Sequence, residues 1–395
     1  MCHRGIIGWC CFLLAASIPP QLPAAGGPGS ATAAGTESAA ASPLASITVP
    51  HLTGIFVSLD SVTAARSLQG WIVDLTSMKQ IGIEWFAIRA AATGSTPPSS
   101  RCALGEFRVF FPPGPAQPSS CFSEEHPGVD TLGTILAAAE HVGLAVHLGL
   151  GYPLTSRFPD DMNSTQYYRE LASINWEVAQ RLWALYGTKY GSLLRGWYTD
   201  VEEANTRFEL ELMNPLVSHY LEPLARDLHN MTAGQSVPTT VWASPYYVGN
   251  LTRHPPVDIM TPRFYADWWS QIFEWAPHLD LIAPQDSMGA QGNSFANVSS
   301  FLGELAAGSR RMNRRVFSNV ELFEVWPRDC QWTPEKGICK GRHPAPFARI
   351  KQQMANEAAL VDELIAWEWH SCLSPYGTTN ASAQLYQQYR AYVGR

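Results

Sequence analysis

The sequence predicts a single α/β domain built as a (β/α)8 TIM barrel, and three observations carry that prediction. Eight short apolar, β-favouring runs alternate with amphipathic helical stretches from about residue 50 to the C-terminus. No glycine-rich GxGxxG turn follows the first run, as a nucleotide-binding doubly wound sheet would have. Finally, 395 residues with 46% hydrophobic content can bury a core as large as such a barrel.

The eight runs are 54–59, 83–90, 144–150, 194–201, 239–244, 279–284, 315–322 and 364–369. Each is rich in β-branched or aromatic residues and short enough to be a strand. Amphipathic stretches at 131–141, 164–185, 215–229, 299–311 and 347–363 read as helices between them. There is no internal sequence repeat. The segments after the second and seventh runs, 91–127 and 323–343, are long and predict two walls beside the mouth of the barrel, where barrel enzymes carry their sites.

The N-terminus has His3 and Arg4 before an apolar run from Gly5 to Ser17, then small residues around Ala24. This is the pattern of a signal peptide over residues 1–25, with an apolar run too short for a membrane span. Residues 26–48 are mostly Ala, Gly, Ser, Pro and Thr and read as a disordered linker, leaving 49–395 as the barrel. Secretion is therefore expected. Cys2, Cys10 and Cys11 would leave with the signal, and close spacing pairs Cys102 with Cys121 and Cys330 with Cys339, leaving Cys372 odd. Sequons at Asn163, Asn230, Asn250, Asn297 and Asn380 are compatible with N-glycosylation. A net charge of -7, with no basic run beyond Arg310, Arg311, Arg314 and Arg315, argues against nucleic acid and for a neutral substrate. The oligomeric state is left open.

Chemistry concentrates at two strand exits. In 195–205 (RGWYTDVEEAN) Asp200, Glu202 and Glu203 arrive together as an apolar run ends; in 315–325 (RVFSNVELFEV) Glu321 shares side-chain register with Asn319 and Phe323. Glycoside hydrolysis needs one carboxyl kept protonated for the leaving oxygen and a second, ionised one on the other side of the sugar. Strands four and seven face each other across an eight-stranded ring, so Glu202 and Glu321 are suited to that pair. Asp200, in parity with Glu202, has two equal readings: a like charge in the same cavity that tunes Glu202, or a partner of a Lys or Arg inside the barrel. The alternatives are a Glu202 or Glu203 that merely caps the next helix, and a Glu321 buried against an arginine such as Arg89.

Gly196, Trp197, Tyr198 and Glu202 (GWYxxxE), the stretch IAPQDSMG at 282–289 and SNVELFE at 318–324 resemble the domain-of-unknown-function 4434 family over roughly residues 50–392. The resemblance implies a barrel similar to glycoside hydrolases with the acid/base on strand four and the nucleophile on strand seven. It assigns those roles to Glu202 and Glu321. The Asn-Glu pair usual in those hydrolases is Val201-Glu202 here, which removes the expected strand-four partner of the sugar 2-hydroxyl.

The expectation is a secreted, retaining glycoside hydrolase acting on a polysaccharide or glycoconjugate without a cofactor. Arg89, Asp200, Gln285, Asp286 and Asn319 would position the sugar and hold the carboxylates, with Tyr246 and Trp369 as stacking platforms. Two rivals share the fold. One is a non-catalytic carbohydrate-binding barrel; the other is a metal-dependent hydrolase or deacetylase using His147, Asp200, Glu202, Asp286 and His370, though no HxH marks the first strand.

Overall fold

The computed structural model describes residues 49–95, 99, 102–112, 121–153, 162–206, 208–236, 238–249, 259–325, 330–333, 336–339, 342–377 and 379–395. The proposed signal peptide and linker lie outside these residues, as does the sequon at Asn250.

Eight parallel strands close into a barrel: β1 (Gly54–Val57), β2 (Trp85–Ile88), β3 (Ala145–Gly149), β4 (Leu194–Tyr198), β5 (Thr240–Ala243), β6 (Leu281–Ile282), β7 (Arg315–Glu321) and β8 (Glu363–Trp367). Each lies inside or within a residue of its predicted run. β1 pairs with β8 to complete the ring, Gly54 opposite Ile365. The helices that follow the strands in turn are α1 (Leu68–Gln80), α2 (Thr131–Val142), α3 (Ser164–Leu182), α4 (Phe208–Leu216), α5 (Pro262–Trp275), α6 (Phe295–Arg311), α7 (Phe347–Glu357) and α8 (Asn380–Tyr392).

Local chemistry sets the helix ends. Ser67, Asp130, Asn163, Thr261, Ser294 and Thr379 each accept an amide of the first turn, satisfying donors that have no partner within the helix. Gly143 ends α2 in the left-handed conformation, at φ 73°. α4 begins seven residues before the expected Pro215 and carries that proline inside it. Proline lacks the amide and crowds the carbonyl four residues back, and the next turn, Val217–Leu221, is a wide π-helical one before the helix resumes at Glu222–Thr232.

Alternation along the strands divides the core in two. One set of side chains, including Trp71, Ile88, Trp197, Val241 and Val320, packs between the strands and the helices. The other, Phe56, Trp85, Ala87, Tyr198, Trp242, Leu281, Ala283, Phe317 and Ile365, fills the barrel interior. Tyr198 and Trp242 meet with ring centroids 4.6 Å apart, and Phe56 lies 5.1 Å from Tyr198. The interior is solid, so a site has to lie above it, at the strand exits.

The predicted wall after β2 contributes Ala92–Gly94, Phe107–Val109 and Phe122–Glu124 to a small sheet, completed by Gly151–Tyr152 after β3. The disulfide Cys102–Cys121 staples this wall as expected. In the wall after β7, Phe323–Val325 pairs with Arg342–Pro344, and a hairpin sets the backbone of Cys330 opposite that of Cys339. The side chains of that second expected disulfide lie outside the described residues. Cys372 is buried. Among the described residues no helix is long and apolar enough to cross a membrane.

Candidate active site

The inward register of each strand, continued one step beyond the aromatic interior, brings Arg89 (β2), Asp200 and Glu202 (β4), Ser244 and Tyr246 (β5), Gln285 (β6), Asn319 and Glu321 (β7) and Trp367 (β8) to the mouth of the barrel. Asp200, Tyr246 and Gln285 lie beyond their strand ends, and isolated bridges join Tyr246 to Gln285 and Gln285 to Asn319 within β7. These bridges extend β5, β6 and β7 toward the mouth.

At the β4 exit the chain turns sharply. Asp200 takes a left-handed conformation at φ 44°, costly for a residue with a Cβ, and its side chain is fully enclosed. The Arg89 guanidinium reaches it at 3.9 Å while lying over the rings of Tyr152 and Trp367, at 4.4 and 5.2 Å from their centroids. Burial pushes the Asp200 carboxyl up to about 7, against the pull of Arg89 and with help from the charge of Glu202. Burial alone would weaken the charge on Arg89; Asp200, Tyr152, Glu202 and Tyr198 outweigh it and raise its pKa.

The two adjacent glutamates separate cleanly. Glu203 accepts the hydroxyl of Tyr168 on α3 at 2.8 Å, and its carbonyl accepts the Tyr246 amide. Glu202 feels Arg89, Tyr198 and Asp200 and is half-buried at the mouth. Glu203 is thus the one of the two held by a hydrogen bond from the surrounding helices.

Glu321 ends β7 facing inward, 2% exposed, with Oε2 accepting the Ala290 amide at 2.6 Å. Its carbonyl accepts the Arg349 side chain at 2.9 Å and its amide reaches Asp286 Oδ1 at 3.3 Å. Gly289 permits this approach: a Cβ there would sit 2.2 Å from the Phe323 carbonyl and 3.0 Å from Glu321 Oε2.

Several expected substrate contacts are corrected by burial. Trp369 is 0% exposed and donates to Asp74 at 2.8 Å, because the strand stops at Trp367 and a wide helical turn, Trp369–Leu373, swings the next tryptophan under α1. Trp367, half-buried, is the last inward ring of β8, and Arg89 lies over it and over Tyr152. Asp286, next to Gln285 and so of opposite parity, turns outward beneath α7, where Gln353 and the Met288 amide bond it. Asn319 faces inward but is closed off beneath Glu321 and donates to Ser244 Oγ at 3.1 Å. Asp200 is enclosed as described. Arg89, Tyr246 and Gln285 remain partly open.

The proposed metal ligands do not gather. His147 sits in the barrel interior, its Nδ1 accepting the Trp242 indole at 3.0 Å, and burial holds its pKa near 3, so it is neutral. His370 pairs with Asp74 at 2.9 Å. Among the described residues no three His, Cys, Asp or Glu side chains form a group that could hold a metal.

The fold recurs in solved structures. A presumptive alpha-L-fucosidase from Bacteroides thetaiotaomicron superposes with a TM-score of 0.63 at 18% identity, over 89% of this chain and 99% of that one. A GH113 beta-1,4-mannanase gives 0.48 at 12% identity, over 87% and 98% of the two chains. An endocellulase from Pyrococcus horikoshii gives 0.46 at 11%, over 87% and 92%. At 18% identity the likeness to the first of these is one of fold. No curated protein matches the sequence. Residues 52–378 match the family described as domain of unknown function DUF4434, and the chain belongs to that family.

Proposed function

We propose that the protein is a secreted glycoside hydrolase acting on a polysaccharide or glycoconjugate by a retaining mechanism. The observation that carries the reading is that β4 and β7 each lead to a carboxyl at the mouth of the closed barrel: Glu202 half-buried within the field of Arg89, and Glu321 with Oε2 on the Ala290 amide at 2.6 Å. Glu202 would protonate the departing glycosidic oxygen and then, as its carboxylate, take a proton from water. Glu321 would attack the anomeric carbon and form the covalent intermediate, which requires carboxyls about 5 Å apart. Arg89, Tyr246 and Gln285 would hold the sugar, with Trp367 or Tyr152 under a ring face. The alpha-L-fucosidase, beta-1,4-mannanase and endocellulase descriptions of the similar structures agree with the reaction class and leave the sugar open.

The burial of Glu321 under the Ala290 amide favours one other reading, a barrel that binds sugar without cleaving it. A panel of activated 2-deoxy-2-fluoro glycosides separates the two. The hydrolase traps one of them on Glu321, seen by peptide mass mapping, and E321Q abolishes the adduct. Glycan-array binding with no adduct and no released sugar, in wild type and E321Q alike, would overturn the catalytic assignment.

A further inference from the structure

Four of the five sequons lie among the described residues, and the fold treats their asparagines differently. Asn163 is exposed and caps α3, its Oδ1 accepting the Gln166 amide at 2.9 Å. An amide that carries a sugar on Nδ2 keeps its carbonyl oxygen, so a glycan leaves this cap intact. Asn380, the first residue of α8, and Asn230, in the last turn of the helix Glu222–Thr232, are exposed as well. Asn297 differs. It is half-buried, and its Oδ1 accepts the amide and the hydroxyl of Ser294 at 3.0 and 2.7 Å. Its side chain lies against Gly249, where an added Cβ would sit 2.7 Å from Asn297 Cβ and 3.1 Å from Nδ2. A sugar on that nitrogen would meet the chain at Gly249.

We propose that the folded protein carries N-linked glycans at Asn163, Asn230 and Asn380 and none at Asn297. The proposal rests on the secretory route of the proposed function, where the donor is an oligosaccharide joined to a polyprenyl diphosphate. The asparagine Nδ2 bonds to the anomeric carbon of the first sugar and gives up one proton, while the bond from that carbon to the diphosphate oxygen breaks and its electron pair leaves with the polyprenyl diphosphate. Transfer acts on the extended chain, so the fold decides which glycans can be accommodated. Helices follow the strand exits in this barrel, and their N-termini therefore lie on the mouth face. Two of the glycans stand there. One starts the helix that carries Tyr168, whose hydroxyl reaches Glu203, and the other lies just past the turn that follows β8. In ring order they bracket the wall stapled by Cys102–Cys121. Asn230 ends its helix and sets the third glycan at the opposite face.

Site mapping of secreted protein tests this without a substrate. The full chain is expressed in a eukaryotic cell line in two forms, one with its own N-terminus and one with a known secretory leader placed ahead of it. Protein collected from the medium is treated with a peptide N-glycosidase in 18O water, which turns each glycosylated asparagine into 18O-labelled aspartate, and its peptides are mapped by mass. The label is expected at Asn163, Asn230 and Asn380 in most molecules and absent at Asn297. T165A removes a sequon hydroxyl and keeps the Asn163 cap, so it should lose the mass of one glycan and no other. An unlabelled Asn163, Asn230 or Asn380, or a labelled Asn297, would overturn the proposal. Secretion with the expected pattern only when the leader is added would refute the secretory role of the chain's own N-terminus and leave the assignment of the sites standing.

Discussion

Asp286 and Glu357 pack together with no exposed surface, and the pair should be held by a single proton on Glu357. Asp286 collects three donors: the Met288 amide at 3.0 Å, the Glu321 amide at 3.3 Å and the Gln353 side chain at 2.5 Å. Glu357 has the Ser318 hydroxyl at 2.5 Å. Burial raises both carboxyls, and the charge of Asp286 then pushes Glu357 well above the usual range. The better-satisfied acid is the anion. E357Q imitates the protonated acid, keeping an acceptor for Ser318 and a donor for Asp286, and should change stability by less than about 1 kcal/mol at pH 5. D286N removes the anion and turns an amide NH2 on Gln353 or on the backbone donors, which should cost about 2–4 kcal/mol. By the usual scaling this is a fall in Tm on the order of 5–10 °C.

The pH dependence has a definite sign. Between the unfolded glutamate value, about 4.3, and its raised folded value, Glu357 is protonated when folded and ionised when unfolded, so the folded state binds more protons and stability falls as pH rises. E357Q lacks that loss. Its stability relative to wild type should therefore improve steadily from about pH 5 to pH 8, as followed by thermal unfolding across that range. An E357Q penalty equal to or larger than that of D286N, or an E357Q difference that does not vary with pH, would refute the placement of the proton.

Three other substitutions test neighbouring parts of the site. G289A forces a Cβ against the Phe323 carbonyl and Glu321 Oε2, so it should lower stability by about 1–3 kcal/mol and greatly slow trapping of the fluoroglycoside; normal trapping would show that the approach of Gly289 does not position Glu321. Y168F removes the hydroxyl that holds Glu203 and should cost about 0.5–1.5 kcal/mol in unfolding experiments while leaving the trapping rate unchanged, since the proposed reaction does not use Glu203. Replacing both Cys102 and Cys121 by serine frees a loop of sequence separation 19 and should lower stability by about 3 kcal/mol, measured against wild type under non-reducing conditions.

The barrel was legible because a buried parallel strand is a short apolar run, and eight of them alternating with helical periods leave few topologies. Side-chain direction was legible only while the strand lasted. Asn319 and Glu321 lie with Phe317 in one regular strand and face inward, whereas Phe323, expected in the same register, lies past the strand end and packs in the core outside the barrel interior. At the β4 exit the left-handed Asp200 breaks the two-residue period, so sequence alone could not decide between Glu202 and Glu203. The Tyr168 hydroxyl, 35 residues earlier in the chain, holds Glu203 and is the contact on which Glu202 is preferred as the proposed acid. Trp369 was misplaced for a related reason: the apolar run continues two residues beyond the strand, but the backbone enters a helical turn at that point, and Trp367 becomes the last inward ring.

These departures share a cause that bears on how the site works. A strand in register fixes its side chains through paired neighbours, whereas a residue past the strand end is fixed by whatever packs on the loop. Asp74 shows the consequence at β8. It accepts the Trp369 indole at 2.8 Å and the Ser374 hydroxyl at 3.1 Å, and pairs with His370 and Arg66, so α1 holds the turn that follows Trp367. A second anchor stands at β4, where Asn175 joins the Gly151 amide to Tyr220, whose hydroxyl donates to the Thr199 carbonyl at 2.7 Å. The third is the Asp286, Gln353 and Glu357 group behind β7. The exits of β4, β7 and β8 are thus each tied by enclosed polar groups to the helices outside the barrel. Such groups are costly to bury unless satisfied, and satisfied they allow one arrangement rather than many. That places the precision required of two carboxyls acting on one bond in the layer behind them, which is why the acids most enclosed here, Asp286 and Glu357, are the most direct test of how Glu321 is held.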